Sequence, residues 1–161
     1  MHYKVCVAFT PKSKKVSTLS TGSACFNNPA GVADNNIISN SQITASGYRG
    51  SGSFYQPKRG RLNNLSNGKG WCAQSCCGTQ DWLQIDLETT RQICGVATQG
   101  DNQNDSWVIT FKLSFSTDGA GWTFYKNADN TEKVNIHSLL CHKCTWHSRK
   151  ISFTQICPGK I

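Results

Sequence analysis

Residues 107–119 read WVITFKLSFSTDG. Trp107, Ile109, Phe111, Leu113 and Phe115 alternate with Val108, Thr110, Lys112, Ser114 and Ser116, the period of two that sends successive side chains to opposite faces of a strand. The stretch predicts a half-buried antiparallel strand with its aromatic set inward. It runs into Asp118-Gly119-Ala120-Gly121, a glycine turn suited to a hairpin, and then into WTFYK (122–126), where Trp122 and Phe124 resume the alternation.

Working backwards, WLQIDLETTRQICGVATQG (82–100) sets Leu83, Ile85 and Leu87 against Trp82, Gln84 and Asp86. It reads as two short strands joined by a polar turn, and it holds no residue set that performs chemistry. QITAS (42–46) adds another short strand, no apolar stripe of helical period appears, and no repeat is evident. Many short strands with Gly, Ser, Asn and Thr between them point to an all-β domain with sheet packed on sheet. Function in such a scaffold belongs to the loops.

With 37% apolar and 16% charged residues, 161 residues fit one domain, large enough to bury about two-thirds of the surface of its unfolded chain. No apolar run approaches the roughly 20 residues that span a bilayer. The start, MHYKVCVAFTPKSKKVS, carries only a short apolar patch, too short for a signal-peptide core, so any secretion signal in this chain is atypical. Nine cysteines are most simply explained by an oxidising compartment, where disulfides persist, and the odd count leaves at least one thiol unpaired. Sequons at Asn64 and Asn104 lie in polar, loop-like stretches and agree weakly with secretion.

Three zones follow. Residues 1–24, with Lys12, Lys14 and Lys15, read as a flexible basic leader; residues 25–134 carry the strand signals; residues 135–161 form a divergent tail.

ITASGYRGSGSFYQPKRGRLN (43–63), GKGWCAQ (68–74), DWLQIDLETTRQICGVATQG (81–100) and SWVITFKLSFSTDGAGWTFY (106–125), in that order, resemble the discoidin domain, also called the coagulation factor 5/8 C-type domain. The resemblance covers roughly residues 25–134. It implies a galactose-binding-like β-sandwich jelly roll whose loops at one end bind ligands, which across the family include anionic phospholipid heads, glycans, collagen and other protein surfaces. It also implies that Arg61 and Leu62 are scaffold beneath the first loop, and that Asp86 is a structural acid. NIHSLLCHKCTWHSRKISFTQICPGKI (135–161) departs from the family pattern, with only RKISFTQIC imitating a late strand. The C-terminal end is therefore atypical, and the family's disulfide between first and last cysteines has Cys25 and Cys157 as its candidates. Cys72 stands where some members carry a cysteine bridged to a late strand. Cys76 and Cys77 are adjacent and poor partners for each other, and Cys94, on a strand, reads as a buried free thiol.

Three loops are candidates for binding: 47–61, 64–80 and 99–106. No acidic residue lies between Asp34 and Asp81, whereas Arg49, Lys58, Arg59, Arg61 and Lys69 stand among Tyr48, Phe54, Tyr55 and Trp71. Phe54 and Tyr55, on a Gly/Ser tip with nothing local to pack on, are the candidate contact residues, with Arg49, Lys58 and Arg59 flanking them. Tyr48 reads as partly core, and Trp71, Trp82, Trp107 and Trp122 as core pieces. In the third loop Asn102, Gln103 and Asn104 would suit sugar hydroxyls.

Enzyme chemistry finds no support. Glu88 and Glu132 are the only glutamates, no Gly-x-Ser-x-Gly or His-Glu-x-x-His motif occurs, and three of the four histidines crowd residues 137–147. Asp81 and Asp86 do not form a glycosidase pair. Cys141, Cys144, His147 and Cys157 have zinc-like spacing, but a single Cys-x-x-Cys is a weak signal, so neither metal nor cofactor is expected. The expectation is an extracellular, non-enzymatic module for adhesion or attachment to a membrane surface, glycan or matrix protein, without nucleic acid. A glycan-specific lectin is the alternative. If residues 135–161 leave a sheet edge open, that edge invites oligomers.

Overall fold

A computed structural model describes residues 4–9, 29–62, 70–74, 81–99, 110–136 and 142–156. Its strands are β1 (Lys4–Phe9), β2 (Ile43–Ala45), β3 (Trp82–Gln99), β4 (Thr110–Ser116), β5 (Thr123–Phe124), β6 (Val134–Ile136) and β7 (His142–Ile156). All their pairings are antiparallel, and the order is β1-β3-β7-β4-β5, with β2 also on β3 and β6 also on β4.

The alternation in β4 buries Phe111 and Leu113 completely, and in β3 it buries Leu83, Ile85 and Leu87, while Trp82, Gln84 and Asp86 stay half-exposed. Trp71, Ala30, Val32 and Ile38, from segments outside the strands, pack onto the same core. Burying an aromatic or aliphatic side chain of this size contributes about 1.5–3 kcal/mol, so this cluster is the main stabilising element. Of the tryptophans expected in the core, Trp71 is fully buried, Trp82 and Trp122 are half-buried, and Trp107 lies outside the described residues.

Three expectations change. The stretch 82–100, read as two strands and a turn, is a single strand of 18 residues. The register against β7 steps from Asp86–Lys150 to Arg91–Ser148, so the polar Glu88-Thr89-Thr90 run bulges out of a continuous strand instead of reversing it. Glu88 adopts φ 60 there, and its N–H donates to Asp86 Oδ1 at 2.8 Å, a local bond that holds the bulge. In β4, the polar face is not open: Ser114 and Ser116 are buried and Phe115 is only half-buried. Ser116 is withdrawn because its hydroxyl accepts the Gly119 N–H at 2.8 Å and donates to Asp118 Oδ1 at 2.9 Å, closing the turn.

The third change concerns the zones. Lys4–Phe9, inside the segment read as a flexible leader, pairs with β3 from Gln99 back to Ile93. KVCVAF is rich in β-branched and aromatic residues, which suit a pleated surface; weighed only as a signal-peptide core, the run went unread as a strand. At the other end β7, within 135–161, lies between β3 and β4 and pairs with both. The sheet therefore extends beyond residues 25–134 on each side, and its central strand comes from the segment that departs from the family pattern.

Candidate functional site

The 47–61 loop leaves β2 and is pinned at its root. Ser46 N–H donates to the Trp82 carbonyl at 3.0 Å, the Ser46 hydroxyl accepts the Trp82 N–H at 3.1 Å, and the same hydroxyl donates to Asp81 Oδ1 at 3.1 Å. Residues 70–74 then lace the ascending limb. Trp71 Nε1–H donates to the Gly47 carbonyl at 2.9 Å, and Arg49 N–H donates to the Cys72 carbonyl at 3.0 Å. A Cβ at Gly47 would fall 2.5 Å from Gln74 Oε1 and 3.3 Å from Gln74 Cβ, so any larger residue there would have to turn the Gln74 side chain aside. Tyr48 packs partly against the core, as its sequence context suggested.

Beyond Gly50 the loop forms two short 3-10 turns, Ser53–Tyr55 and Pro57–Gly60. Pro57 opens the second turn with its φ already set for it. Arg59 bridges the pair: its N–H donates to the Gln56 carbonyl at 2.9 Å and its Nε–H to the Ser53 carbonyl at 3.3 Å. This brings Arg59 to the turn that presents Phe54. Phe54 is 56% exposed, while Tyr55, Lys58 and Arg59 are half-buried and Arg49 is exposed. The loop thus offers one large apolar side chain to solvent on a stretch whose charges are all positive.

Arg61 ends the loop and is buried. Its guanidinium donates to the carbonyls of Val32 and Ile38, both at 2.6 Å, and to the side-chain oxygens of Asn40 at 2.9 Å and Asn35 at 3.3 Å. Burial pushes its pKa down, and the nearby Asp34 carboxylate opposes that shift. Arg61 is therefore a scaffold cation holding the 32–40 segment, and the other positive charges of the loop lie at Arg49, Lys58 and Arg59.

The sequence reading passed over Ile37, the most exposed large hydrophobic among the described residues at 61%. Its signal was the Ile-Ile pair after Asp34-Asn35-Asn36, of which Ile38 is buried and Ile37 faces solvent. Gly31, at φ +84, accommodates it, since a Cβ there would lie 2.3 Å from Ile37 Cγ2.

Asn102 and Asn104 lie outside the described residues, as do Asn64, Lys69, Cys25, Cys76, Cys77, Cys141 and Cys157. Cys94 lies on β3, and Cys144 and His147 on β7; their side chains are outside the described set. Among the described residues no group of three or more His, Cys, Asp or Glu is arranged to hold a metal ion, and no helix is long and apolar enough to cross a membrane.

The F5/8 type C domain model matches residues 42–148. Lactadherin of Sus scrofa is 41% identical over 105 residues, 62% of this chain and 25% of that protein. A venom prothrombin activator non-catalytic subunit of Pseudonaja textilis is 36% identical over 110 residues, covering 67% of this chain and 7% of the subunit. Retinoschisin of Takifugu rubripes is 35% identical over 101 residues, covering 60% and 36%. The chain thus spans about a quarter of the length of the lactadherin it matches. Discoidin II of Dictyostelium discoideum superimposes over 76% of this chain and 50% of its own with a TM-score of 0.52 at 14% identity, a likeness that shows the fold, a jelly-roll β-sandwich. With the family model spanning both the 47–61 loop and the strands that carry it, this chain belongs to the F5/8 type C, or discoidin, domain family.

Proposed function

We propose that the domain is an extracellular, non-enzymatic attachment module that docks onto an anionic lipid surface through the 47–61 loop. The observation that carries this reading is Phe54, more than half exposed on a loop that carries Arg49, Lys58 and Arg59 within a stretch, 35 to 80, that holds no acidic residue. Burying such an aromatic in an interfacial layer contributes about 1.5–3 kcal/mol, and each cation near an anionic leaflet about 1 kcal/mol. Together these reach roughly 5 kcal/mol, a sub-millimolar affinity for one loop. Firm attachment then depends on several copies or on neighbouring domains acting together. The relatives accord with a binding module in a larger protein, since one is by name the non-catalytic subunit of a venom prothrombin activator, and nine cysteines suit an oxidising compartment.

The test is to present the purified domain in parallel with phosphatidylserine liposomes, phosphatidylcholine liposomes, sulfated and neutral glycans, and collagen, each over a salt titration. Preferential cosedimentation with the phosphatidylserine liposomes, weakened but not abolished by salt, is the expected result. Salt-independent binding to a neutral glycan overturns the lipid reading in favour of a lectin, and capture on collagen alone overturns it in favour of matrix attachment.

A further inference from the structure

We propose that Cys94 of β3 and Cys144 of β7 form a disulfide that staples the two central strands at a bulge. The register carries the argument. On one side Ile93 pairs with Trp146, and on the other Gly95 pairs with Lys143. Between those two rungs β3 supplies one residue, Cys94, and β7 supplies two, Cys144 and Thr145. Cys94 is thus set against a two-residue segment that contains a cysteine. Residues opposite each other in an antiparallel pair have Cα atoms about 4.5–5.5 Å apart, inside the roughly 4.4–6.8 Å window of a disulfide. The extra residue on β7 adds the local freedom of a bulge, which helps a cross-strand bond reach its preferred dihedral.

Among the described residues no other cysteine on a strand shares that rung. Cys6 of β1 lies opposite Ala97, and on the β1 side the rungs flanking Cys94 are Ala8–Gly95 and Phe9–Ile93. Cys72 is buried in the 70–74 segment, outside the strands. The pairing also gives the Cys141-x-x-Cys144 motif a different meaning, because Cys144 is committed to β3 and is not a partner for Cys141.

The chemistry balances with a disulfide oxidant such as oxidised glutathione. One thiolate of the pair attacks the oxidant, releasing one glutathione thiol and forming a mixed disulfide. The second thiolate displaces the other glutathione, forming the Cys94–Cys144 Sγ–Sγ bond. Two protons leave the cysteine thiols, and two electrons reduce the oxidant to two thiols. The bond closes a loop of about 50 residues, and loops of that size gain substantially from cross-linking.

The experiment is a non-reducing peptide map of the full chain, secreted into an oxidising compartment, with free thiols blocked before digestion. The expected result is a linked peptide pair containing Cys94 and Cys144. Recovery of Cys94 as the blocked thiol, linkage of Cys144 to Cys141, or stoichiometric zinc that protects Cys144 from blocking until a chelator is added each overturns the proposal. Cys144→Ser is expected to free Cys94 for alkylation and to lower the melting temperature by roughly 5–15 °C. That loss disappears when both proteins are melted in reductant, and a loss that persists in reductant overturns the staple. The map on the unmodified chain decides the matter even where the variant does not fold.

Discussion

The Arg61 guanidinium donates to the carbonyl of Ile38 at 2.6 Å across 23 positions of sequence, inside the protein. With the Val32 carbonyl taken by the same group at 2.6 Å, one side chain closes the 32–38 segment and anchors the end of the binding loop.

Arg61→Met therefore leaves two buried carbonyls without donors, each costing about 1–3 kcal/mol. The variant should lose about 2–4 kcal/mol, read as a lower urea midpoint with an unchanged m-value. Arg61→Lys should recover only part of the loss, because a single ammonium on a shorter stem cannot reproduce the planar fork. An unchanged midpoint in Arg61→Met would mean that the guanidinium carries no structural load.

Phe111 has no exposed surface and pairs through its backbone with Asn135 of β6 and Gln155 of β7. Phe111→Ala should destabilise the domain by about 3–5 kcal/mol, since deletion of a large aromatic loses its transfer energy and leaves a cavity. Thermal melts of variant and parent that coincide would contradict the inward assignment of β4.

Asp118 supplies the pH prediction. The Ala120 and Gly121 N–H groups donate to its Oδ1 at 2.8 and 3.0 Å, and the Ser116 hydroxyl adds a third bond, so its pKa falls from 3.8 to about 2. A carboxylate depressed in the folded state contributes stability that is present above its unfolded pKa and lost as pH falls towards its folded one. Between pH 3.8 and about 2 the parent should therefore lose stability more steeply than Asp118→Asn, measured by denaturant midpoints at successive pH values. Parallel profiles for the two proteins would show that the turn does not titrate with folding.

The binding loop separates into two contributions. Phe54→Ala with Tyr55→Ala should weaken liposome binding at every salt concentration, because area burial is insensitive to screening. Lys58→Ala with Arg59→Ala should weaken it chiefly at low salt, where the Debye length is long. Parent-like binding by both double variants would move the site elsewhere, with the Asn102–Asn104 loop next in line.

Legibility in the sequence followed the physics of each element. Leu83, Ile85, Leu87, Phe111 and Leu113 were readable because a period of two survives wherever one face of a strand meets a core. The bulge at Glu88 was not readable, since a polar run looks the same whether it reverses the chain or swells out of it. Ser116 was misplaced because a serine that closes a turn with its own hydroxyl becomes buried without being apolar. β1 was missed because its partner, residues 93–99, is distant in sequence, and only long-range pairing makes so short a run a strand. At the site, the positive charge was legible from the run without acids between Asp34 and Asp81, and the prominence of Phe54 from its Gly/Ser surroundings, which offer it nothing local to pack on. The separation of Arg61 from the other cations had come from the family pattern and needed the Val32 and Ile38 carbonyls to be given a physical cause.

The sheet's middle strand is made late. β7 joins β3 to β4, yet it occupies residues 142–156 and follows every other described strand in the chain. As a ribosome delivers the chain at about 5–20 residues per second, β3 and β4 emerge seconds before the strand that bridges them. Until then each presents an unpaired edge, and the long-range pairings that dominate this topology make closure slow. The interval before β7 arrives is thus when two copies of the chain can pair edge to edge, a hazard that the finished sheet, with β7 in place between β3 and β4, no longer presents at those edges.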